Sequence, residues 1–188
     1  MKDSKKILVT GGAGFIGFHL SKRLIKEGYE VIGLDSINNY YDTSLKKARL
    51  KILNETKGSY DFVKHDISRT STIDLLKEIN PSFIVNLAAN AGVRYSIQNP
   101  RIYVKNNIYG FLNILEAAKE INLENLVYAS TSSVYGANTD YPFSEKKGVD
   151  HPLQFYAVTK RTNELMAHSY ASLFNIKSTG LRFFTVYG

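Results

Sequence analysis

Tyr156 and Lys160 stand four residues apart in Tyr156-Ala157-Val158-Thr159-Lys160, a spacing that puts a phenol and an ammonium on one helix face. A lysine charge, joined by any other positive charge nearby, favours the phenolate and pulls the tyrosine pKa down. A tyrosine tuned in that way takes a proton from a sugar hydroxyl near neutral pH. Tyr–Lys pairs at this spacing are also common by chance, so the surroundings decide their meaning. Upstream, Tyr128-Ala129-Ser130-Thr131-Ser132-Ser133-Val134-Tyr135-Gly136 reads as a strand tip rich in hydroxyls. The Thr131 hydroxyl and the Tyr156 phenol can therefore meet above one sheet edge.

A second constellation lies near the start, in Val9-Thr10-Gly11-Gly12-Ala13-Gly14-Phe15-Ile16-Gly17. Gly11 permits a tight turn, Gly14 lets main chain approach phosphates, and Gly17 lets helix and strand pack closely. The helix N-terminus adds N–H groups and partial positive charge for an anion. A glycine triplet alone is weak evidence, but Lys6-Ile7-Leu8-Val9 before it reads as a buried strand, and apolar residues follow at helical spacing. Asp35 ends the next strand, where a carboxylate accepts ribose hydroxyls and repels a 2′-phosphate, favouring NAD over NADP. A helix cap or loop acid is the plainer reading of Asp35. Asp66, in His65-Asp66-Ile67, either accepts an adenine amino group or caps the next helix. The small residues of Asn86-Leu87-Ala88-Ala89-Asn90-Ala91-Gly92 suit a cofactor lying across a strand tip, and equally suit close helix–strand packing.

The elements that must position these groups alternate along the chain. Strands are predicted over 6–10, 30–35, 60–64, 82–88, 124–130 and 177–184, and helices over 14–27, 43–56, 70–79, 100–120 and 153–175. This pattern predicts an α/β fold, a doubly wound parallel sheet of about six strands with helices on both faces. Loops 36–42, 89–99 and 132–152 all follow strand C-termini, the edge at which open parallel sheets bind ligands.

The 188 residues suit one domain, 1–188, with a sizeable core, and 44% hydrophobic and 22% charged residues are ordinary for a globular protein. The absence of cysteine excludes disulfides, thiol catalysis and thiolate metal sites, and fits a cytoplasmic protein. No apolar run is long enough to span a bilayer, and no metal site is expected. The net charge of +7 raises nucleic acid as a partner, but the basic residues are scattered. Lys46 to Lys51 read as the solvated face of a helix. The apolar ending Leu181-Arg182-Phe183-Phe184-Thr185-Val186-Tyr187-Gly188 suggests that the sequence stops inside a longer protein.

The glycine turn, Asp35, the hydroxyl cluster and the Tyr156/Lys160 pair together resemble the extended short-chain dehydrogenase/reductases of the nucleotide-sugar branch, over the entire chain. Asp35-Ser36-Ile37-Asn38-Asn39-Tyr40-Tyr41-Asp42, Ala91-Gly92-Val93-Arg94-Tyr95-Ser96, Asn163-Glu164-Leu165-Met166-Ala167-His168 and the terminal segment narrow the resemblance to the UDP-glucuronate 4-epimerases of capsule and cell-wall polysaccharide synthesis. The resemblance implies a Rossmann-type NAD-binding domain. Its catalytic triad would be Thr131, Tyr156 and Lys160. NAD would be held by Gly11, Gly14, Phe15, Ile16, Gly17, Asp35, Ser36, Asn38, Asp66, Ile67, Leu87, Ala88, Ala89 and Asn106, with Tyr156 and Lys160. Arg94, Ser132, Ser133, Phe184 and Thr185 would approach the nicotinamide or the UDP-sugar.

The implied reaction is inversion at C4 through a 4-keto sugar, with NAD regenerated each cycle. Related 4,6-dehydratases follow the catalytic threonine with Asp-Glu and related decarboxylases carry a Glu there, whereas this chain has Ser132-Ser133. Asn90 stands where the family usually has Gln, and Ser130-Thr131 where it commonly has two serines. Family members also continue into a second, substrate-binding domain, missing here, with an arginine expected to clamp the glucuronate carboxylate. A UDP-galactose or UDP-N-acetylhexosamine 4-epimerase and a non-catalytic NAD-binding fragment are the rival readings. Helices 100–120 and 153–175 carry apolar stripes suited either to a homodimer or to burial against the sheet.

Overall fold

A computed structural model describes residues 5–138 and 141–188; Met1–Ser4, and Thr139 and Asp140 within the predicted loop 132–152, lie outside it. The chain runs β1 (Lys6–Thr10), α1 (Phe15–Lys26), β2 (Glu30–Asp35), α2 (Thr43–Glu55), β3 (Ser59–Lys64), α3 (Thr72–Ile79) and β4 (Phe83–Asn86). It continues through α4 (Val93–Gln98), α5 (Pro100–Tyr103), a π-helical segment (Val104–Tyr109), α6 (Gly110–Glu120), β5 (Asn125–Thr131), a 3-10 turn (Ser132–Tyr135), α7 (Phe155–Phe174) and β6 (Ser178–Phe183). All six strands are parallel, in the order β3-β2-β1-β4-β5-β6. This is the Rossmann arrangement, with the order reversing between β1 and β4.

Strand alternation divides the core between the two faces. Ile7, Val9 and Val31 pack with Phe18 and Ile25 of α1 and Leu53 of α2. Leu8, Ile32, Leu34, Ile84 and Leu126 pack with Leu76 of α3, Phe111, Ile114 and Leu115 of α6, and Ala167 of α7. Every βα crossover therefore delivers its strand's C-terminal end to the same edge.

Three elements differ from the expected boundaries, each for a local reason. β4 ends at Asn86 rather than 88 because its partner β1 ends at Thr10, opposite Asn86. Beyond it the Leu87 and Ala88 amides donate to the Thr10 carbonyl and hydroxyl. The predicted loop 89–99 contains α4, too short to show an apolar stripe and fixed instead by buried Ser96, whose hydroxyl donates to the Val93 carbonyl. The single helix expected over 100–120 is interrupted by the π turn at 104–109, where Asn106 and Asn107 turn their amides toward Asn90.

Candidate active site

One cavity of about 860 Å³ runs along the C-terminal strand edge, from the β1–α1 turn to the tip of β5 and the start of α7. At its first end Gly11 has φ +68, and a Cβ on Gly17 would collide with the Gly11 carbonyl oxygen, so both positions need glycine. No side chain caps α1 at Gly14, which leaves main chain facing the cavity. Such a bare helix start fits an anion.

Asp35 is buried at the β2 tip, where its Oδ1 accepts from Ile37 N at 2.8 Å and Lys46 Nζ at 3.1 Å, and its Oδ2 from Ala13 N at 3.3 Å. A carboxylate offers about four acceptor sites, so capacity remains for a ribose hydroxyl. Lys46 is 4% exposed. The reading of Lys46 as part of a solvated face is therefore corrected: the start of α2 folds over the cavity and carries the ammonium to Asp35 and the ring of Tyr41. Asp66 accepts from the Ser68 amide at 3.0 Å and hydroxyl at 2.8 Å. Burial would raise its pKa, but those bonds with Lys105 and Arg69 nearby bring it below the ordinary value.

At the other end Thr131 Oγ1 accepts from Ser133 N at 3.2 Å, and Thr131 lies close enough to the Tyr156 phenol to lower its pKa. Lys160, 2% exposed, donates from Nζ to the Ala129 carbonyl at 2.9 Å, and burial lowers its pKa to about 8. The expected depression of Tyr156 is reversed here. Burial raises its pKa, outweighing the effect of Thr131, and Lys160 is spent on a carbonyl oxygen.

Sequence reading missed the buried connections that hold this end together. Ser130 Oγ donates to Glu164 Oε1 at 2.6 Å, and Arg182 grips the same carboxylate with two bonds of 2.9 Å. Glu164 thereby ties β5 and β6 to α7. Asn107 Nδ2 donates to the Asn90 carbonyl and to Thr159 Oγ1, both at 3.0 Å, anchoring α7 to the loop after β4. Asn90 Oδ1 accepts from Asn106 Nδ2 at 2.7 Å, so the shorter amide reaches a partner. The residue types were visible, but only the fold brings these segments together.

The cavity is lined by Gly11, Gly14, Phe15, Ile16, Gly17, Asp35, Ser36, Asn38, Asp66, Ile67, Leu87, Ala88, Ala89 and Asn106. Thr131, Ser132, Ser133, Tyr156, Lys160, Phe184 and Thr185 complete the expected set along the same wall. Arg94 stands apart, exposed on the first turn of α4 and outside the lining. Among the described residues, the lining carboxylates are Asp35 and Asp66, both away from Thr131 and Tyr156 in the chain's fold.

Residues 8–188 match the family described as GDP-mannose 4,6 dehydratase. The chain belongs to that family. Among its relatives, Protein CapI of Staphylococcus aureus is 57% identical over 186 residues, which are 97% of this chain and 54% of that protein. UDP-glucuronate 4-epimerase 2 of Arabidopsis thaliana is 48% identical over 189 residues, 100% of this chain and 43% of that protein. The crystal structure of UDP-glucuronic acid 4-epimerase from Bacillus cereus, in complex with UDP-glucuronic acid and NAD, superposes with a TM-score of 0.89 at 40% identity, covering 97% of this chain and 57% of that one. The chain thus spans about half the length of the family members it matches. Among the described residues no helix is long and apolar enough to cross a membrane.

Proposed function

We propose that the chain is the cofactor-binding and proton-transferring part of an NAD-dependent UDP-glucuronate 4-epimerase. One observation carries the reading: a cleft with a glycine cradle and Asp35 at one end has Thr131, Tyr156 and Lys160 at the other, with no carboxylate beside them among the described lining residues. The similarity to the Arabidopsis and Bacillus epimerases supports it.

The residues present fit the dinucleotide. The Gly11–Gly17 turn and the start of α1 take the pyrophosphate, and Asp35, Ser36 and Asn38 the adenosine ribose. Asp66 and Ile67 border the adenine, and Leu87, Ala88 and Ala89 form a low floor toward Asn106. When bound, NAD supplies the hydride acceptor and donor for sugar C4.

Tyr156 exchanges the proton of the C4 hydroxyl, and Thr131 holds that oxygen as charge shifts onto it. Burial keeps the Tyr156 phenol protonated in the chain alone, so a positive charge entering the cleft is what favours the phenolate. Lys160, fixed by Ala129, adds its charge from beneath. Ser132, Ser133, Phe184 and Thr185 face the sugar. A 4-keto glucuronate is a β-keto acid prone to lose carbon dioxide. Serines in place of acids after Thr131 mean that this segment supplies no base at C5, which favours epimerisation over dehydration or decarboxylation.

The same reading places the protein in cytoplasmic polysaccharide biosynthesis. It also includes a homodimer through 100–120 and 153–175, where Tyr109, Leu165, Leu173 and Phe174 are exposed. The test uses the protein extended to the length of its relatives, offered UDP-glucuronate and UDP-galactose side by side. Turnover of the uronate, lost by at least a hundredfold in Tyr156→Phe with NAD still bound, is expected. Turnover of the neutral sugar alone would overturn the assignment.

A further inference from the structure

Between β2 and α2 the chain crosses the cleft, and the crossing is built in a costly conformation. Ile37 has φ +50, a region that a β-branched residue rarely occupies, and its amide is pinned to Asp35 Oδ1 at 2.8 Å. Asn38 Oδ1 then accepts from Tyr40 N at 3.3 Å, turning the loop so that Tyr40 reaches the far wall. There the Tyr40 hydroxyl accepts from Gly92 N at 3.1 Å, and its ring meets Tyr95 edge-on with centroids 5.2 Å apart.

Gly92 is gripped from its other side as well. The hydroxyl of fully buried Tyr103 donates to the Gly92 carbonyl at 2.5 Å, and the Tyr103 ring lies edge-on to Tyr156 with centroids 6.3 Å apart. A Cβ on Gly92 would collide with the Tyr40 hydroxyl. Immediately downstream, Ser96 on α4 accepts from the Tyr156 amide at 3.2 Å. The segment from Gly92 to Ser96 thus connects the loop carrying Tyr40 with the helix carrying Tyr156.

We propose that Tyr40 is a positioning residue for the cofactor: latched to Gly92, it straps loop 36–42 across the cleft and retains the dinucleotide while the sugar is oxidised and reduced. The inference rests on the NAD reading above. An enzyme that regenerates its cofactor each cycle must not release the reduced form midway, and a strap anchored beside Tyr156 serves that need.

The test loads the 188-residue chain with etheno-NAD and follows its displacement by excess NAD. Tyr40→Phe, which removes only the hydroxyl, is expected to release the dinucleotide about tenfold faster. Gly92→Ala, with Tyr40 intact, is expected to do the same by collision. In Tyr40→Leu the collision partner is gone, so adding Gly92→Ala to it is expected to change the rate less than twofold. Circular dichroism checks that each variant is folded. Release from Tyr40→Phe at the wild-type rate, or fully additive effects in the double variant, would overturn the strap while leaving the NAD reading standing. Failure of the wild-type chain to bind unmodified NAD, read by titration calorimetry, would overturn the reading beneath it.

Discussion

Among the described residues two lysines are buried, and their surroundings are opposite. Lys46, at the glycine-turn end of the cleft, lies 3.1 Å from the Asp35 carboxylate, touches Asn38 and covers the ring of Tyr41. Lys160, at the hydroxyl end, has the Ala129 carbonyl as its hydrogen-bond acceptor, and burial draws its pKa to about 8. The first is a compensated charge that shapes a binding surface. The second is a charge held at a disadvantage, which is how a protein keeps a group ready to respond when the charge around it changes.

The largest effect expected from breaking this contrast is at the compensated end. Lys46→Met leaves the buried Asp35 carboxylate without its ion partner, and denaturant unfolding at neutral pH should show a loss of about 3–5 kcal/mol. Adding Asp35→Asn removes the orphaned charge and should restore most of that loss. If the single and double variants are equally unstable, the pair is not what stabilises the β2–α2 junction.

A smaller effect is expected from Glu164→Gln, which weakens the paired bonds from Arg182 and leaves two arginines facing a neutral amide. The loss should be about 2 kcal/mol, with NAD affinity unchanged because Glu164 touches the β5 tip from behind. An altered NAD affinity with normal stability would mean that this network belongs to the cofactor site.

A third effect sharpens the comparison through pH. The folded pKa of Lys160, about 8, lies below its ordinary value of 10.5. Between these values the unfolded chain binds the extra proton, so Lys160 makes stability rise as pH increases from about 8 to 10.5. Below pH 8 both states are protonated and the cost of burying the charge is constant. Lys160→Met should abolish the rise, read as the slope of unfolding free energy against pH. An unchanged slope would show that Lys160 does not titrate in that window.

What the sequence made legible follows from how each end is built. The glycine turn and Asp35 occupy one βαβ unit, so spacing along the sequence alone conveyed their geometry. The sheet was legible because its buried strands are separated by amphipathic helices. The hydroxyl end is assembled across the chain: Ser130 meets Glu164 and Arg182, and Asn107 meets Asn90 and Thr159, pairings with no local spacing rule. Lys46 sits in a helix whose composition looks solvated, and only the fold of α2 over the cleft buries it. Arg94, expected near the substrate on its motif, stands exposed on α4 outside the cleft lining. The direction of the Tyr156 shift depended on burial, which residue spacing does not report.

The central claim is that the two ends serve one reaction, in which hydrogen leaves sugar C4 and returns to it. UDP-glucuronate deuterated at C4, given to the protein extended to the length of its relatives, tests this most directly by mass spectrometry of the epimerised product. The account predicts that the product keeps its deuterium in ordinary water and that Tyr156→Phe yields none. Epimerised product that has exchanged deuterium for solvent hydrogen would contradict it.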